Sequence, residues 1–166
     1  MSFINYVLLL ALLAFNNPVM SSIPSQREVD YTKAINACNK LCRAKNSDII
    51  QTTEVILKHS NRVNINPNLI FAIAMSESNL NPKAVGPGKY SKGIMQVNTR
   101  YHLSKFKKSA LDLDDNIRVG VDILKTCSIK SQGNFSKMVF CYRGKKDKQY
   151  LSKIQKYMSF NIFPMV

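Results

Sequence analysis

The chain has 166 residues, with 24 Lys plus Arg against 10 Asp plus Glu, a formal net charge of +14, four Cys and no Trp. At 45% hydrophobic and 20% charged, with six Gly and six Pro, it is neither a disordered polyelectrolyte nor a collagen-like or linker-dominated chain, and its length suits one domain. The charge excess points to an anionic partner, whether nucleic acid, an acidic membrane surface or an acidic wall polymer, without choosing among them.

No charged side chain precedes Arg27, and the apolar run from Val7 to Phe15 is short of the roughly 20 residues that a membrane-spanning helix needs. Residues 1–21 therefore read as a signal peptide, with Val19 and Ser21 as the small-residue pattern for cleavage after Ser21. The n-region has no Lys or Arg, so an uncleaved anchor is the alternative. Either way the remainder is expected outside the cytoplasm, periplasmic or extracellular, with no stable membrane span beyond that segment.

Residues 22–30 carry Pro24 and two Ser without apolar periodicity, and are expected to form a loose leader to a domain at 31–166. A helix over about 31–45 places Ala34, Ala37, Cys38, Leu41 and Cys42 on one face. Ser47 can cap a second helix, about 48–62, with Ile49, Ile56 and Val63 at seven-residue spacing. Asn66-Pro67 then opens a third, since Asn caps free amides and Pro loses nothing at the first helical position. From Leu69 to Met75 this helix has no polar face, which implies burial on nearly all sides. A surface loop over 79–93, rich in Pro and Gly, follows, and shorter helices are expected near 95–102, 115–127, 135–142 and 148–157. With no strand pair or repeat, the fold class is all-α, a compact helical domain.

An exported chain favours disulfides over metal sites or catalytic thiols. Four Cys allow three pairings; bridges from the Cys38/Cys42 pair to Cys127 and Cys141 are favoured, with local pairing or free thiols as alternatives. No metal or cofactor is expected. His59 and His102 are not near a Cys in sequence, and the acids at 112, 114 and 115 fail as a calcium loop, because the sixth and twelfth positions from Asp112 are Ile117 and Ile123. Those three acids precede a helix, where capping and the helix dipole explain them.

Of the three Glu, Glu28 lies in the leader and Glu54 on a polar helix face, whereas Glu77 sits at the exit of the most hydrophobic helix. Desolvation there raises a carboxyl pKa, and an acid that stays protonated near neutral pH can donate a proton to a glycosidic oxygen. The plain alternative is a helix-end residue facing solvent.

Glu77-Ser78-Asn79-Leu80-Asn81-Pro82-Lys83-Ala84, followed by Gly93-Ile94-Met95-Gln96, resembles two linked motifs of the lytic transglycosylases of the soluble-lytic-transglycosylase, goose-lysozyme-like family. There a helix-ending Glu-Ser precedes Pro and Ala and, after a loop, Gly-Leu-Met-Gln; Ile94 stands here in place of the Leu. Asn116-Ile117 with Gly120 and Leu124 resembles the family's following helix. The third motif, Ala-Tyr-Asn and then Gly, falls on Cys141-Tyr142-Arg143-Gly144, where Tyr142 is kept, Arg143 replaces Asn and the Gly comes one position early. The resemblance spans about 66–157 and implies a lysozyme-like fold and peptidoglycan glycan strands as substrate.

It further implies Glu77 as the single acid and base, cleaving between N-acetylmuramic acid and N-acetylglucosamine with a 1,6-anhydromuramic end as product. Ser78 and Gln96 would hydrogen-bond sugar, Gly93 would permit close backbone approach, Met95 would support the cleft by packing, and Tyr142 would help orient Glu77. Tyr90, Tyr101 and Tyr142 are the candidates for stacking on sugar. The small exported type implies local wall opening, with a secretion, pilus or phage assembly as partner. Nine Lys or Arg from Lys125 onward against Asp147 alone would suit an anionic envelope or a solvated face. Export and the lack of a recognition motif argue against nucleic acid. A muramidase adding water, or a degenerate wall-binding protein, are the remaining rivals.

Overall fold

The computed structural model describes residues 26–41 and 46–163. The expected signal segment, Cys42 and residues 22–25 of the leader lie outside them. Among the described residues no helix is long and apolar enough to cross a membrane. Seven α-helices run in chain order among the described residues: α1 (Gln26–Leu41), α2 (Asn46–Val63), α3 (Pro67–Ser78), α4 (Thr99–His102), α5 (Leu113–Ser131), α6 (Phe135–Arg143) and α7 (Lys148–Met158). The all-α class holds.

Two boundaries differ at the start of the chain: α1 begins at Gln26, inside the expected loose leader, and α2 begins at Asn46, so Ser47 lies within the helix instead of capping it. A larger difference lies between α3 and α5, where the helix expected near 95–102 is a turn, a strand and only then the short α4. Strands β1 (Ser91–Lys92) and β2 (Val97–Asn98) pair antiparallel, Ser91 opposite Asn98 and Lys92 opposite Val97. Two residues per strand are too few for an alternation pattern to show in sequence.

The centre of the molecule is α3. Every residue from Asn68 to Met75 is buried, and α3 packs against α7 on one side and α2 on another. At about 1.5–3 kcal/mol for each large apolar side chain, this one helix is a major share of the core. Its start behaves as Asn66-Pro67 predicts, the Asn66 side chain accepting from Asn68 N at 2.8 Å. Its end is a left-handed turn at Asn79 (φ 55°), whose N–H reaches back into the last helical turn, and buried Leu80 follows as an anchor. Asn68 clamps the C-terminal segment, donating to Phe163 O at 2.6 Å and accepting from Phe163 N at 3.0 Å.

The hairpin hangs on one side chain of α5. Asn116, wholly buried, accepts from Met95 N at 2.9 Å and donates to Lys92 O at 2.9 Å and Ala110 O at 2.7 Å. The chain must pass so close to Asn116 that a Cβ on Gly93 would overlap its amide, and Gly93 takes φ 75°, where glycine is at ease. One turn further along α5, Gly120 leaves room for the Met95 sulfur, which a Cβ there would meet at 2.5 Å.

The disulfide expectation is corrected. Cys127 and Cys141 are joined to each other, with Cα atoms 5.6 Å apart, and so neither reaches the Cys38/Cys42 pair. The physical reason is topology: α5 and α6 are packed neighbours joined by a short turn, which brings these two positions together. Cys38 is buried under α2.

Candidate active site

Glu77 occupies the last turn of α3 and opens into a cleft of about 730 Å³. One wall comes from α6 and α7, with Tyr142, Arg143, Asp147, Tyr150 and Lys153; the other comes from the 86–98 loop and hairpin, with His102 beyond it. The apolar helix that carries Glu77 buries its carboxyl, leaving the side chain 10% exposed. Burial is therefore the largest influence on its titration and raises its pKa. Three weaker influences oppose it: the Tyr150 hydroxyl lying against it, then Arg143, then Lys153.

Arg143 Nη1 stands 3.6 Å from Glu77 Oε2, and the same guanidinium lies 4.9 Å above the Tyr150 ring. Asp147 is the second carboxylate of the cleft. It is occupied as the cap of α7, accepting from Tyr150 N at 2.9 Å, and faces Arg143 Nε at 3.8 Å. Lys153 Nζ reaches the Ser76 carbonyl at 3.3 Å and so ties α7 to the end of α3. Among the described residues, Ser76 Oγ and His102 Nδ1 are buried without a hydrogen-bond partner, and the buried Tyr150 Oη has no partner but the Glu77 carboxyl that it lies against; all three residues line this cleft.

The predicted residues divide. Gln96 lines the cleft, its amide pinned to the carbonyls of Gly93 (2.9 Å) and Ala84 (3.2 Å). Tyr142 lines it too, but its hydroxyl donates to Met95 O at 2.9 Å; it latches the 93–96 turn to α6, and its contact with Glu77 is electrostatic alone. Met95 is fully buried and packs on Gly120. Ser78 and Gly93 are corrections. The Ser78 hydroxyl points away from the cleft to Ile94 O (2.7 Å) and Ala74 O (3.1 Å), so it binds α3 to the turn and not to sugar. Gly93 makes its close approach to Asn116, not to the cleft.

Tyr150 was not foreseen. A Tyr on an amphipathic helix looks like a core-edge residue, and only the packing of α7 on α3 sets its hydroxyl beside Glu77. Among the stacking candidates, Tyr90 lines the cleft beneath Arg100, whose guanidinium is 4.1 Å from the ring centroid, while Tyr101 is 72% exposed and lies outside the cleft lining.

A helix-borne buried acid facing a long cleft under a two-stranded hairpin is the arrangement of a lysozyme-like glycan-cleaving protein. The transglycosylase SLT domain matches residues 54–159, more than half of the chain, and the protein belongs to that family. Its members are lytic transglycosylases of the lysozyme-like superfamily that act on peptidoglycan, and this places the chain's chemistry at the cell wall. No curated protein matches the chain.

Proposed function

We propose that the protein is a lytic transglycosylase that uses Glu77 alone, cleaving the β-1,4 bond between N-acetylmuramic acid and N-acetylglucosamine and leaving a 1,6-anhydromuramic end. The observation that carries this reading is the contrast between the two cleft carboxylates: burial raises the pKa of Glu77, while Asp147 is spent on its helix cap. Protonated Glu77 gives its proton to the glycosidic oxygen as the C1–O bond breaks and positive charge develops on the muramic ring. The carboxylate so formed takes the proton of the muramic 6-hydroxyl, whose oxygen closes on C1. Glu77 ends as it began, and neither water nor a protein nucleophile enters the balance.

Gln96, Tyr142, Tyr150, His102 and Ser76, all lining the cleft, are the residues we assign to the substrate. Ser78, Gly93 and Met95 hold the turn on which Gln96 stands. The protein acts outside the cytoplasm, where its net positive charge of 14 favours retention on an anionic wall. Its role is local wall opening for a secretion, pilus or phage assembly. The small size of the unit that carries the cleft supports that occasion, and the test is loss of assembly, not of growth, in a deletion strain.

One observation favours a second reading, a wall-binding protein with little turnover: the Arg143 cation beside Glu77 favours the ionised acid. Mass spectrometry of muropeptides released from purified peptidoglycan separates the cases. Anhydro products lost in Glu77→Gln support the transglycosylase, products heavier by one water make it a muramidase, and binding without products makes it the degenerate module.

A further inference from the structure

Arg143 ends α6 at the rim of the cleft, where the third motif of the family resemblance has Asn. Its side chain is 37% exposed and stands between two carboxylates, 3.6 Å from Glu77 Oε2 and 3.8 Å from Asp147 Oδ2. Charge-assisted N–H···O bonds run at about 2.7–2.9 Å, so the guanidinium fork is placed near both acids without being saturated by either. Gly144, at φ 76° and with open space around it, follows directly. The other groups facing Glu77 are Lys153 and Tyr150 from α7 and Tyr142 from α6; Lys153 is engaged by the Ser76 carbonyl and both tyrosines stay neutral. Arg143 is thus the cation best placed to leave Glu77 for another anion.

We propose that Arg143 is a positioning residue that reads a carboxylate on the muramic-acid side of the substrate: the incoming anion takes the guanidinium from Glu77, and the acid form of Glu77 is favoured further. The proposal rests on the lytic transglycosylase reading. Two sources share the chemistry, the lactyl carboxylate of a naked strand and the carboxylates of an attached stem peptide. Each matches the planar fork of an Arg, which a Lys cannot reproduce.

Glu77 is one of three Glu in the chain, so carbon NMR of Glu-labelled full-length protein can follow its carboxyl through a pH titration. The ligands are the N-acetylglucosamine–N-acetylmuramic acid disaccharide, the same disaccharide carrying a stem peptide, and the neutral N-acetylglucosamine disaccharide. At least one anionic ligand is expected to raise the Glu77 midpoint by about one pH unit, and the neutral sugar by less. In Arg143→Gln the midpoint starts higher and the anionic ligands add nothing beyond the neutral one; Arg143→Lys restores only part of the response. Which anionic ligand acts tells lactyl group from stem.

Three results overturn the proposal: no change in the midpoint in Arg143→Gln, no response to either anionic ligand in the parent, or an equal response to the neutral sugar. Because the titration needs no turnover, the two readings fail separately. Missing anhydro products with an intact Glu77 response sinks the enzyme, and normal products with an unresponsive Glu77 sinks this role for Arg143.

Discussion

Two carboxylates of the molecule keep little side-chain surface open to water and titrate in opposite directions. The Asp115 side chain is 4% exposed and that of Glu77 10%, with Glu77 lying deeper in the protein. Burial pushes both up. At Asp115, however, hydrogen bonds from Lys108 N (2.7 Å), Arg118 and Lys107 N (2.7 Å) outweigh it and hold the pKa below the usual value. Glu77 has a guanidinium at 3.6 Å, the Tyr150 hydroxyl and the Lys153 charge, which together do not outweigh its burial, and its pKa stays raised. Enclosure alone does not raise the pKa of an acid; enclosure without committed donors does.

The sharpest way to break that comparison is to neutralise each acid in turn. Glu77→Gln is expected to lower muropeptide release by about 10³-fold or more, with thermal melting unchanged or slightly raised, because a buried ionisable group has been replaced by a neutral one of the same shape. Release within tenfold of the parent would put the proton transfer elsewhere. Asp115→Ala should do the reverse, costing about 3 kcal/mol in denaturant unfolding while turnover per folded molecule holds, since it strips partners from two backbone amides and Arg118, none of them in residues that line the cleft. Ser78→Ala is expected to cost about 1.5 kcal/mol, with any loss of turnover coming from a slackened Gln96 turn and not from a lost sugar contact. A rise in KM without any loss of stability would return Ser78 to the cleft.

The helices were legible because their signals are local: the apolar run of α3, the Asn66-Pro67 start and the acids ahead of α5 each act within a few residues. Glu77 stood out for the same reason, its place at the end of that apolar helix, although its surroundings are completed by Arg143 from α6 and by Tyr150 and Lys153 from α7. What escaped depends on groups distant in the chain. The hairpin exists because Asn116 fixes Met95 and Lys92 from 21 and 24 positions away. Gly93 and Ser78 have the residue types of a sugar site, but their directions are decided by α5 and by the turn, and both face inward. Tyr150 and the Cys127–Cys141 pairing depend on which helices pack together, and periodicity is silent on that. Arg143 could be seen as a departure from the family pattern, yet its meaning needed the 3.6 Å to Glu77.

The middle member of the acidic run at the head of α5, Asp114, supplies the smallest and most selective test through its partner His59. His59, 2% exposed, lies between α2 and α5; its Nδ1 accepts from Arg62 Nε at 3.3 Å, which leaves Nε2–H to donate to Asp114 at 3.1 Å. Burial lowers its pKa from 6.5, more than the bond to Asp114 raises it, and Arg62 and Lys58 add to the lowering. The folded protein therefore holds this ring neutral in a range where the unfolded chain protonates it. The stability it contributes is present above about pH 6.5 and falls as pH drops through that value towards the folded pKa, by no more than about 1.4 kcal/mol per pH unit for one proton. Asp114, held low chiefly by Lys58, stays ionised in both states throughout that window. His102, also lowered by burial, adds a loss of the same sign, and Glu77, whose pKa is raised, opposes it at the acid end. The measurement is thus a difference: unfolding free energies at pH 5.5 and 7.5 for the parent and for His59→Gln, which keeps a donor for Asp114 but does not titrate. The variant should lose less stability on acidification than the parent. An equal loss in both would mean that the ring is already charged in the folded state, and that enclosure at this end of α5 is overruled by Asp114 just as it is overruled at Asp115.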